Sequence, residues 1–143
     1  MMTFIRPAVT ALTCAAALTV AVPALAETVN LKADMNAASE VPANSSKATG
    51  TVTASYDTAS KKLSWKGSYK DLTGPATAAH FHGPAEAGKN AGVMVPISPA
   101  TSPFEGSATL NDDQAKALMA GKLYVNVHTA ENKGGEIRGQ LKK

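Results

Sequence analysis

The chain has 143 residues, 44% hydrophobic, 17% charged and 5% aromatic, with one cysteine and a formal net charge of +3. That is one domain's worth of chain, long enough to bury roughly two thirds of its unfolded surface without disulfides. These figures exclude a multidomain enzyme and a disulfide-stapled mini-domain. No apolar run beyond the N-terminus approaches the roughly 20 residues of a membrane span, which excludes an integral helical membrane protein.

Residues 1–26 read as a secretory signal peptide. Arg6 supplies the basic start, Ala8 to Val22 the apolar stretch, and Pro23 breaks it before the small-x-small site Ala24-Leu25-Ala26. The mature chain is expected to start at Glu27, placing residues 27–143 in the periplasm or the medium. Cys14 falls inside the removed segment, and Ala11-Leu12-Thr13 before it is a poor lipoprotein site. The mature chain therefore has no cysteine and no thiol chemistry.

Period-two patterning dominates the rest. Val29, Leu31, Ala33 and Met35 mark a half-buried strand, and residues 37–49 a loop around Pro42. Val52, Ala54 and Tyr56, a turn at Asp57–Ser60, and Leu63, Trp65, Gly67 and Tyr69 predict a hairpin. Lys62, Lys66 and Lys70 fall on the face opposite Trp65, where lysines commonly guard a sheet edge. After the break at Thr73-Gly74-Pro75, Thr77, Ala79 and Phe81 line one face of a fourth strand. A Gly/Ala-rich loop over 83–92 leads into Val93–Ile97, which Pro96 makes short or an edge.

Phe104, Gly106, Ala108 and Leu110 give another alternating run, after which the period changes. Asn111 with Gln114 reads as an N-cap box, Ala115, Leu118 and Met119 as a helical face, and Gly121 as its end, so one short helix is predicted over about 111–120. Residues 123–128 and 136–141 are two last strands around a Gly134-Gly135 turn. Seven or eight short strands and one helix indicate an all-β, antiparallel, Greek-key-like sandwich or flattened barrel.

Scattered lysines give no footprint for nucleic acid. No G-x-S-x-G elbow, P-loop or H-E-x-x-H is present, so no catalytic residues are assigned. Asp112 and Asp113 suit a helix start electrostatically, and Asn44-Ser45-Ser46 is a formal glycosylation acceptor.

Two blocks carry a family resemblance. The first is Ala79-His80-Phe81-His82-Gly83-Pro84-Ala85 through Gly92 to Ile97. The second runs from Leu118 through Tyr124-Val125-Asn126-Val127-His128-Thr129 to Glu136-Ile137-Arg138-Gly139-Gln140-Leu141. Together they resemble the CHRD domain, named after chordin and common in secreted bacterial proteins. The resemblance implies an extracytoplasmic β-rich module with an unknown envelope or extracellular partner, acting by binding or as structure. It implies no particular reaction.

All three histidines lie in these blocks. His80 and His82 share a strand face, Phe81 pointing the other way; Val125 and Val127 put Tyr124, Asn126 and His128 on the face opposite the core. Ile137 and Leu141 as core leave Glu136 and Arg138 outside. Parity thus collects His80, His82, His128, Glu136 and Arg138 on one side of a sheet, without showing that the strands are neighbours. The three imidazoles suit copper or zinc, with Glu136, Arg138 and Asn126 around them. Alternatively, the rings hold loop carbonyls and the Glu136/Arg138 pair. The pattern is similar to the copper site of Cu,Zn superoxide dismutase, His80 and His82 matching its His-x-His strand, His128 a later ligand and Arg138 its anion-guiding arginine. The bridging histidine, the zinc cluster and the disulfide of that family are missing here, so superoxide chemistry is the weakest of the readings.

Overall fold

Val29, Leu31, Ala33 and Met35 are buried while Thr28, Asn30, Lys32 and Asp34 between them face outward, so the first strand, β1 (Thr28–Asn36), wears its alternation as predicted. The computed structural model describes residues 25–143. The signal-peptide reading, with Arg6 and Cys14, falls almost wholly on residues outside these. Seven more strands follow: β2 (Thr49–Asp57), β3 (Lys62–Lys70), β4 (Ala76–His82), β5 (Val93–Ile97), β6 (Phe104–Thr109), β7 (Tyr124–Thr129) and β8 (Ile137–Gln140). All eight join one antiparallel sheet in the order β5-β4-β7-β8-β1-β2-β3-β6. The sheet curls until β5 and β6 approach each other, giving a nearly closed barrel rather than two separate sheets.

The interior is apolar throughout. Leu63, Phe81, Val52, Val125, Val127, Ile137 and Leu141 are fully enclosed, and Trp65 meets Phe81 edge to face at 5.1 Å between centroids. Burying each such side chain is worth about 1.5–3 kcal/mol, which makes these inward rows the main force holding the barrel together. Close backbone approach adds a constraint at Gly139, where an added methyl would run into the Asp34 carbonyl across the β8–β1 junction. Gly139→Ala is expected to cost about 2 kcal/mol or more through that overlap, read as a lowered urea midpoint with an unchanged slope.

The one α-helix among the described residues, α1 (Asp112–Met119), has the predicted capping box between Asn111 and Gln114, and Gly121 leaves it at φ +71°. Gln114 Nε2 also donates to the Met94 carbonyl at 3.0 Å, tying the helix to β5. The β2–β3 hairpin forms as predicted, and Pro96 lies in a five-residue strand at one end of the sheet order.

Three expectations need correction. Lys62, Lys66 and Lys70 do face solvent, but β3 is paired on both sides, with β2 and β6, so they guard no edge. Thr77 is exposed although Ala79 and Phe81 are buried, because the β4 register skips between Ala76 and Ala78 and the parity breaks there. Finally, the outer face of β4, β7 and β8 is not open surface: Arg138 is 2% exposed and Glu136 fully buried, covered by the 37–48, 83–92 and 130–135 loops.

Candidate metal centre

The chain-distant halves of the candidate site become neighbours because β4 pairs with β7, His80 lying opposite Asn126 and His82 opposite Tyr124. With Phe81, Val125 and Val127 filling the interior, the alternate residues of both strands must point outward, and the three rings collect over one strand pair. The ring centroids of His80 and His128 are 5.0 Å apart, and those of His80 and His82 5.4 Å. One nitrogen from each ring lies within 4.8 Å of the others.

The hydrogen bonds fix the tautomers. His128 Nδ1 is 2.9 Å from the Lys133 carbonyl, and His82 Nδ1 3.0 Å from the Ala91 carbonyl. A carbonyl only accepts, so both rings carry their proton on Nδ1 and turn a lone pair outward on Nε2. His80 Nδ1 lies 3.1 Å from His128 Nε2 and donates to it. His82 Nε2 is buried and meets no donor. Burial lowers the pKa of both His80 and His82; the charges of His128 and His82 lower that of His80 further, while for His82 hydrogen bonds to Ala91 and Asn126 oppose the fall and the His128 and Arg138 charges add to it. The neutral imidazole is the form in which histidine binds metal.

Around the rings, the sheet supplies a stack. His82 lies parallel to Tyr124 at 4.9 Å, and the Arg138 guanidinium packs 3.4 Å from the centre of the same phenol ring. Tyr124 Oη is tied to Ala91, accepting from its N–H at 3.1 Å and donating to its carbonyl at 3.2 Å. Arg138 donates to Asn90 Oδ1 at 2.9 Å and to the Lys89 carbonyl. The 83–92 loop, which the sequence offers only as a Gly/Ala-rich connection, is therefore pinned down over the site. Arg138 is spent on that loop and on Tyr124, not held free to guide an anion.

Glu136 does something else. Neither it nor Arg138 hydrogen-bonds a histidine, against the pairing expected above. Its carboxylate accepts from Ser46 Oγ at 2.6 Å, Thr129 Oγ1 at 2.6 Å, Thr73 Oγ1 at 2.7 Å and the Thr73 N–H at 2.9 Å. Burial by itself would push this carboxyl up, but the hydrogen bonds from Ser46, Thr129 and Thr73 outweigh it and hold its pKa at about 2. It stitches the loops before β2 and β4 to the end of β7.

Sequence reasoning missed Glu40. It is 5% exposed, and burial raises its pKa against the opposing pull of the Val41 N–H, the Arg138 charge and the Asn126 amide. Glu40 Oε1 and Asn126 Nδ2 flank Gly135, whose φ of +128° and missing side chain make room for both. The available signal was slight: Glu40 is the one charged residue between Ala37 and Ser46.

Among the described residues no helix is long and apolar enough to cross a membrane. No curated protein and no solved structure matches the chain. The CHRD domain profile matches residues 31–141, a span that includes all eight strands save the first three residues of β1, the helix and every residue of the histidine cluster. With most of its length covered, the chain belongs to the CHRD domain family.

Proposed function

We propose that this CHRD domain is an exported, non-catalytic binding module whose ligand is a transition-metal ion, copper or zinc, held by His80, His82 and His128. One observation carries the reading. Two backbone carbonyls take the Nδ1 protons of His82 and His128, which leaves both Nε2 atoms unprotonated, and a ligand nitrogen from each of the three rings lies within 4.8 Å of the others. Metal-binding histidines characteristically donate their other ring nitrogen in this way. Ligands at about 2.0–2.1 Å around a tetrahedral ion stand about 3.3 Å apart. The His80–His128 nitrogens at 3.1 Å already do, and the two separations from His82 are within 4.8 Å. The ion replaces the proton between His80 and His128, and His80 keeps its proton on Nε2 instead. Export rests on residues 1–26 of the sequence, and binding or structural roles fit the family.

Titration calorimetry of the metal-stripped protein with Cu(II), Cu(I) and Zn(II), beside H80A/H82A/H128A, tests this. One equivalent is expected to bind with a Kd below about 1 μM, roughly 8 kcal/mol, and to be lost in the folded triple variant. Equal or absent binding by both proteins would leave the rings as fasteners of the 83–92 and 130–135 loops and turn the search to envelope partners.

A further inference from the structure

We propose that Asn126 supplies a fourth, oxygen donor to this centre, making it a three-nitrogen, one-oxygen site that favours divalent ions over Cu(I). The inference rests on the metal reading above. Two buried acceptors on the strands of the cluster have no hydrogen-bond donor, His82 Nε2 and Asn126 Oδ1, in residues 8% and 3% exposed, and Glu40 Oε1 on the covering loop is a third. Such atoms are costly to leave unmet inside a protein, about 1–3 kcal/mol each, and call for a partner that accepts electron pairs. The two side chains lie close enough to interact, but with the His82 proton spent on the Ala91 carbonyl, its Nε2 and the Asn126 amide oxygen face each other lone pair to lone pair.

A cation answers both at once, and the sheet register puts Asn126 where it can join. It sits directly across from His80, diagonal to His82 and two residues before His128 on the same strand face. Its Nδ2 and Glu40 Oε1 both border the space above Gly135, without a hydrogen bond closing between them, so the N–H₂ end of the amide faces the carboxylate side and Oδ1 the other. An amide oxygen is a hard donor, suited to Zn(II) or Cu(II), whereas Cu(I) is selected by soft sulfur ligands and is satisfied by imidazoles alone.

The test compares wild type, Asn126→Leu and Asn126→Asp by calorimetry with Zn(II), Cu(II) and Cu(I), with electron paramagnetic resonance of the Cu(II) forms. In N126L, Zn(II) and Cu(II) affinity should fall 10-fold or more and the Cu(II) spectrum should shift, while Cu(I) affinity changes less than about twofold. N126D, which keeps an oxygen and adds charge, should bind the divalent ions at least as tightly as wild type, and it decides the matter if N126L does not fold. Loss of Cu(I) affinity in parallel with Zn(II) in N126L, an unchanged Cu(II) spectrum in the folded variant, or weaker divalent binding by N126D would overturn the fourth donor and leave the three-histidine reading standing. Failure of wild type to bind any of the ions would overturn both.

Discussion

Glu136→Ala is expected to destabilise the protein by about 3 kcal/mol, a fall of roughly 10 °C or more in Tm. The carboxylate is fully buried, and its removal orphans the Thr73 N–H together with the hydroxyls of Ser46, Thr73 and Thr129. Hydrogen bonds to a charged acceptor contribute more than neutral ones, and a small β domain has only about 5–15 kcal/mol in total. Glu136→Gln keeps the shape and one acceptor oxygen but sets an amide N–H₂ among donors, so it should fall between wild type and alanine. The pH dependence separates charge from shape. The folded pKa, about 2, lies below the ordinary 4.5. The stabilisation is therefore complete above the unfolded value and is lost as pH falls from about 5 toward 2. Urea unfolding of wild type across that window should show the decline, and E136Q should show a flatter profile. Parallel profiles would mean that the hydroxyls bind a neutral acid equally well.

Arg138→Ala should cost about as much, about 3 kcal/mol, and should also disturb the proposed metal centre. Arg138 is 2% exposed; its loss empties the space against Tyr124, frees the Lys89 carbonyl and Asn90, and takes away the positive charge that favours ionised Glu40. Unfastening the 83–92 loop loosens Ala91, whose carbonyl fixes the tautomer of His82. Amide exchange over 85–92 is expected to quicken, and metal affinity to drop 10- to 100-fold, as when an outer partner of a ligand is removed. Arg138→Lys retains the charge but not the flat, forked guanidinium, and should recover stability only in part. A folded R138A with wild-type affinity and unaltered loop exchange would show that the loop holds itself.

Alternation at Val29–Met35, Val52–Tyr56 and Leu63–Tyr69, the Asn111/Gln114 box and Pro96 were enough to read the strands, the hairpin, the helix and one end of the sheet, because each of these signals is local. Parity likewise put His80, His82, Asn126, His128 and Arg138 on the outward face. A strand's two-residue period settles sidedness from a few neighbours along the chain.

What needed the tertiary structure is which strands touch. The pairing of β4 with β7 joins residues 48 positions apart and turns three histidines into a cluster. The both-sided pairing of β3 makes Lys62, Lys66 and Lys70 surface charges rather than edge guards. Loops decided the remainder. Parity says outward, yet the 37–48 and 83–92 segments fold back over that face, burying Glu136 and Arg138, bringing Glu40 beside Asn126, and supplying the Ala91 carbonyl that sets the proton on His82. Side-chain periodicity fixes the direction in which a residue points, but its burial and protonation depend on what the distant chain lays over it.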